Sequence, residues 1–261
     1  MGWKDAFEYM RGAAAKRGVG EAPPADQHLP LGARIGSVLQ LQQSPLVRAS
    51  SAGSLIKLAD AGDTRIVAIS RIKLNLSGSL YRYYLATGDV AGDEKFLQVY
   101  ADAQGQVAEI MYCTQLARVV PETEEDQQAY TGELGYGLGD RTYTLWRAQL
   151  NDVGLDEQDL DAVFGADEGV EYQRDAGNAD AEFAAPFTGT ETRIDDVAGV
   201  KGLKQDMYFM PYVRNLKDGT HEYLLITTEI LQSVNGDTAK RGIHVDFVIG
   251  IPVEQERIVI Q

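Results

Sequence analysis

One feature limits the folds open to this chain more than any other: apolar segments of strand length follow one another from residue 34 to 116, each closed by a glycine or aspartate turn. Within 65–76 the tail Ile72, Lys73, Leu74, Asn75 and Leu76 alternates apolar and polar residues, the period of a strand with one buried face. Ser77 and Gly78 separate it from the segment 80–85, Gly88 to Gly92 lead on to 95–100, and Asp102 to Gly105 turn the chain into 107–116. Ile35, Val38, Leu39 and Leu41 open the series, and 55–58 adds a short strand. Later, 207–213 is apolar, with Pro211 demoting it to an edge or a bulge. Segments 222–234 and 243–253 are joined through Asn235, Gly236 and Asp237, the strongest hairpin signal present, although the composition of 222–234 also tolerates a helix. The expected class is β-rich α+β, built of antiparallel meandering sheets as a sandwich or open barrel with a few short helices.

Charge divides the chain where the strand pattern does not. Residues 121–200 hold twenty Asp and Glu against four Arg and no Lys, a net of −16, whereas 1–50 carries +2, 51–120 is neutral and 201–261 carries −1. The implied organisation is an amphipathic helix plus linker over 1–28, a β-rich part over 29–120, an acidic helical and loop region over 121–182, and a second β-rich part over 183–261 packed with the first. Within the acidic region Pro121 closes the sheet, and 122–130 reads as a helix whose acidic first turn suits the positive end of its dipole. A second helix over 156–164 places Leu155, Leu160 and Val163 inward and Asp156, Glu157, Asp159 and Asp161 outward. Between them 141–147 is a strand by its β-branched and aromatic content, and 165–182 reads as a loop or ragged edge. A pI of about 4.6 tells against a nucleic-acid binder and favours a basic partner or a solvated face.

At the start, Trp3, Phe7, Met10 and Ala14 recur at helical spacing among Lys4, Arg11, Lys16 and Arg17. Gly18, Gly20, Pro23 and Pro24 then end the helix in a linker. Such a tethered helix either packs on the core or docks on a partner or membrane surface. The sequence lacks both a membrane-length apolar run and a secretory leader, so a cytoplasmic location is expected. Cys113 has no partner for an intrachain disulfide and reads as a buried, inert thiol.

Motifs for chemistry are absent. His28, His221 and His244 are the whole imidazole supply, and a hairpin centred near Gly236 sets His244 opposite about residue 228, not His221, so no histidine-based zinc site is expected. His244 and Asp246 share one side of a strand and read as a surface pair, since no nucleophile motif accompanies them. Gly135, Gly137 and Gly139 lie between an acidic helix and a strand, the wrong context for a phosphate-binding loop. EF-hand spacing fails from Asp159, which puts Phe164 at the glycine position, and from Asp175, which puts Gly177 at a ligand position. Tyr81, Arg82, Tyr83 and Tyr84 read as sheet packing, because single-strand stacking platforms sit in basic grooves. No catalytic residue, cofactor or metal is expected.

The start Met1, Gly2 and Trp3, the stretch 29–36, the strand 80–84 with 96–99 after it, and the strand 141–147 together resemble the bacterial YjfK-like family, a domain of unknown function, over most of the chain. The resemblance implies no catalytic residue. It implies a gene context beside relatives of phage-shock protein A, which coat stressed membranes, and beside small membrane proteins.

The expected function is a cytoplasmic, non-enzymatic adaptor, peripheral to the inner membrane, that meets a basic or membrane-associated protein. Trp3, Phe7 and Met10 of the first helix and Asp156, Glu157, Asp159 and Asp161 of the acidic helix are the candidate partner-binding residues; the resemblance points to a phage-shock-protein-A-like partner. The rival is a small-molecule module or hydrolase with a site assembled from scattered residues, which a deep polar pocket would favour and a filled barrel would sink. A third reading is cation or polyamine sequestration on the acidic face.

Overall fold

The structure, a computed structural model, describes residues 24–59, 62–87, 94–150 and 155–261. In chain order its strands are β1 (Val38–Leu41), β2 (Thr64–Leu74), β3 (Ser79–Leu85), β4 (Lys95–Ala101), β5 (Val107–Val119), β6 (Thr142–Trp146), β7 (Gly169–Arg174), β8 (Phe187–Ile194), β9 (Gly202–Asn215), β10 (His221–Val234), β11 (Gly242–Pro252) and β12 (Ile258–Ile260). Three short helices accompany them: α1 (Ser44–Ser51), α2 (Glu124–Thr131) and α3 (Glu157–Phe164). No helix among the described residues is long and apolar enough to cross a membrane.

Eight strands close into an antiparallel barrel in the order β2, β3, β4, β5, β11, β10, β9, β8. The ring closes through β8, which sets Ile194 opposite Ile69 of β2 and Phe187 opposite Phe209 of β9. Closure removes the unpaired edges an open sheet would present, so the barrel is closed and not open. Gly189 permits the close approach, because a Cβ there would fall 1.9 Å from the Lys73 carbonyl oxygen. Outside the ring, β1 and β12 extend β2, while β7 and β6 extend the far end of β9.

Two separate cores follow from strand alternation. Ala68, Tyr84, Phe96, Met111, Cys113, Phe209, Leu225 and Val248 come from seven of the barrel strands yet form one cluster, which places them inside the ring. Ile69, Tyr83, Leu97, Tyr112, Tyr212, Leu224 and Ile249 face outward, where Leu46 and Ala49 of α1, Leu55, and Leu160 and Phe164 of α3 cover them. The barrel is therefore filled and its outer face is also buried. Burial holds the thiol of Cys113 up to about 12, so it stays protonated and inert near neutrality.

Several expectations need correction. Residues 55–58 join no ladder, and α1, started by Pro45 in its first turn, precedes them where no helix was expected. Residues 165–182 contain β7. Pro211 lies within the barrel sheet, not at its edge, opposite Leu225 at the seam where β9 passes from β8 to β7. Its carbonyl accepts from the Asp175 N–H, so its missing N–H points to that same seam and costs β10 no bond. Segment 222–234 is strand, and its hairpin turns through Asn235 (φ 49°) and Gly236 (φ 77°), both left-handed as a two-residue primed turn requires. Trp3, Phe7 and Met10 lie outside the described residues.

Candidate functional site

The barrel interior is not simply apolar. Arg82 projects inward from β3, fully buried, and donates to Gln98 Oε1 (3.3 Å), Glu229 Oε1 (3.3 Å) and Thr227 Oγ1 (3.2 Å), with its guanidinium 5.1 Å from the Phe96 ring centre. Glu191 of β8 accepts from Tyr84 Oη (3.2 Å) and Gln205 Nε2 (2.6 Å). Arg193 stacks 4.1 Å from the Tyr84 ring centre and bonds Glu94 (2.7 Å) and Asp195 (2.9 Å).

One end of this network is solvent-accessible. The β10–β11 register sets His244 opposite Glu229 and Asp246 opposite Thr227, and His244 Nε2 lies 2.8 Å from Glu229 Oε2. A register shift between β11 and β5 brings Arg118 opposite Asp246, where it donates two bonds of 2.6 and 2.7 Å while Gln115 adds a third of 2.9 Å. His244 and Asp246 are thus not the surface pair expected; Asp246 is buried and His244 half-buried.

Burial and charge shift these carboxylates in opposite directions. Desolvation, reinforced by Glu229, raises Glu191; desolvation raises Asp246 against the pull of Arg118. Burial would lift Glu229 too, but the His244 hydrogen bond and the Arg82 charge hold it below the usual range. A raised carboxyl binds its proton more tightly folded than unfolded, so Glu191 subtracts stability as pH climbs through its folded titration. Glu191→Gln is accordingly expected to melt about 2–4 °C higher than the parent at neutral pH. Its new amide can bond the Gln205 carboxamide oxygen, which has no partner at present. The advantage should shrink towards pH 4, and melting curves across pH that ran parallel would refute the assignment.

A second feature lies where β6 and β7 leave the barrel. Thr142, Thr144 and Trp146 share a face with Gln173, Glu171 and Gly169, because cross-strand partners point the same way. The opposite face, with Leu145 and Tyr172, packs into the outer core. Trp146 remains 51% exposed; a Cβ on Gly169 would come 3.1 Å from its indole. Arg147 bonds Glu157 (2.5 Å) and Asp161 (2.8 Å), fixing α3 beside the tryptophan, while its own N–H donates to the Glu168 carbonyl. Asp156 and Asp159 have no cationic partner among the described residues. Asp167, Glu168 and Glu171 add exposed carboxylates nearby. Of the sequence candidates, the structure therefore groups Asp156 at the N-cap with Glu157, Asp159 and Asp161 on α3, which Arg147 ties to the end of the strand that carries Trp146, a residue sequence reasoning did not single out.

A cleft of about 890 Å³ runs between α1 and the start of β5, lined in part by Arg48, Glu109, Ile110, His221, Ile251 and Arg257. Its two arginines are engaged with Asp218 (2.6 Å) and Glu254 (2.5 Å), and its lining shows no hydrogen-bonded pair of nucleophile and base.

Residues 12–259 match a family model described as a protein of unknown function (DUF2491). No curated protein and no solved structure matches the chain.

Proposed function

The chain belongs to this family of unknown function, and we propose that it is a non-enzymatic accessory protein that docks a lysine- and arginine-rich partner segment on the exposed face of β6 and β7. What carries the reading is Trp146, half-exposed on the same face of the β6–β7 ladder as Glu171, with the acidic helix α3 tied to the neighbouring Arg147. An indole face attracts a cation, flanking carboxylates add charge complementarity, and an aromatic anchor supplies the apolar area that pure charge lacks. The filled barrel supports the same side, since among the described residues packed side chains occupy the interior where a substrate pocket would lie. The YjfK-like resemblance adds a candidate partner, a phage-shock-protein-A-like protein at the cytoplasmic side of the inner membrane. Trp3, Phe7 and Met10 would then supply a second contact to that partner or to the membrane surface.

Calorimetry of the full chain against a purified phage-shock-protein-A-like protein tests this. Binding is expected to weaken with salt and to fall about tenfold in Trp146→Ala, whose melting curve without partner checks that the fold is kept. Neutralising Asp156 and Asp159 together should lower affinity and flatten the salt dependence. Absence of binding at low salt, or binding indifferent to Trp146 and to salt, would overturn the proposal.

A further inference from the structure

We propose that Glu229, His244 and Asp246 bind one divalent cation of the zinc or manganese type at the accessible end of the barrel. One ligand atom from each lies within 4.8 Å of the others. The His244 Nε2 and Glu229 Oε2 atoms, 2.8 Å apart, already stand at the spacing of two neighbouring ligands around a cation about 2.0–2.2 Å from each. The cation takes the place of the hydrogen bond between them: the neutral imidazole binds through Nε2 with its one proton on Nδ1, and the Glu229 carboxylate binds through Oε2.

Burial and charge point to a ligand here. Glu229 and Asp246, 5% and 4% exposed, bring two carboxylates together in the barrel wall. Two like charges desolvated side by side repel each other, and a cation between them removes that cost.

Arg118 is the group that must yield. Its side chain is 46% exposed, so it can swing into water and release Asp246, while Gln115 keeps its bond and orients the carboxylate from outside. Arg82 stays behind Glu229, on the oxygen the cation does not use. Mixed imidazole and carboxylate ligation favours zinc or manganese over calcium, which takes six to eight oxygens, and over magnesium, which keeps several waters.

The inference does not depend on the docking reading and has its own test. The full-length chain, stripped with chelator, is titrated with Zn²⁺ and Mn²⁺ by calorimetry in two buffers of different ionisation heat, with Ca²⁺ and Mg²⁺ as controls. Expected are saturable binding and a raised melting temperature, with His244→Gln and Glu229→Gln each weakening binding about a hundredfold. His244 is half-buried, so His244→Gln should fold; its melting curve without metal confirms that. No heat with either metal, or binding unchanged in His244→Gln, as a surface site at His28 or His221 would give, overturns the assignment.

Discussion

Arg82→Met is expected to destabilise the barrel by about 3–5 kcal/mol, one of the two largest single losses expected anywhere in this chain. The substitution keeps much of the side-chain volume, so the cost is electrostatic. Arg82 is the fully buried cation that faces Glu229 directly and lowers the penalty on Glu191. Without it two carboxylates remain inside a ring of strands, with three donors' worth of acceptors at Gln98, Thr227 and Glu229 left unmet. Burial works against the Arg82 charge, but the carboxylates of Glu191 and Glu229 outweigh it, so the guanidinium stays ionised at any accessible pH. Arg82→Lys should fall between the two, since an ammonium keeps the charge but cannot reach three acceptors with a planar fork. Denaturant melts of Arg82→Met, Glu229→Gln and the double variant form a cycle, and a double variant more stable than Arg82→Met alone is the expected signature. A loss below about 1 kcal/mol for Arg82→Met would mean that the network is hydrated and not buried.

Much of this architecture was legible and some was not, for one physical reason. The tail of β2 announces itself by alternation and β3, β4 and β5, largely buried on both faces, by apolar runs between glycine and aspartate turns, and all four fall close to where they were expected. The Asn235-Gly236 turn even fixed the β10–β11 register to within one residue, His244 facing Glu229 and not residue 228. What failed was the assignment of faces. In β10 one face fills the barrel and the other meets α1 and α3's core, so both are buried and alternation no longer distinguishes inside from outside. His244 with Asp246 then read as a surface pair. Arg82, between Tyr81 and Tyr83, carried the one usable signal, a charge at the inward position of a strand whose other inward residues are Leu80 and Tyr84. β7 escaped notice because only Val170 and Tyr172 face the core while Glu171 and Gln173 face water. Leu55 and Ile56 misled in the opposite sense: they are apolar and buried, but packing holds them, not a ladder.

Glu222→Ala is expected to cost about 3–5 kcal/mol as well, and to act on the docking face from beneath. Glu222 opens β10 with 0% exposure and satisfies four donors at once. Its Oε2 accepts from the Ser54 hydroxyl and the Leu55 N–H (2.7 Å); its Oε1 accepts from Tyr172 Oη (2.6 Å) and Arg214 Nε (2.7 Å). One carboxylate thus ties the strandless 53–56 segment and β7 to the barrel wall. Arg214 keeps its bond to the Gly53 carbonyl and its place 5.2 Å from the Tyr172 ring centre, but its charge loses the only carboxylate in contact with it among the described residues. Glu222→Gln should recover part of the loss, because its oxygen can serve two donors while its amide nitrogen confronts the other two. Amide exchange at Leu55 and Tyr172 is expected to accelerate more than exchange in β3 or β4, as local release of these two segments precedes global unfolding. Tyr172 and Glu171 are neighbours on opposite faces of β7, so the same release should weaken partner binding without altering any surface charge. A Glu222→Ala protein with normal Leu55 protection and undiminished partner affinity would show that α3 and β6 hold the docking face by themselves.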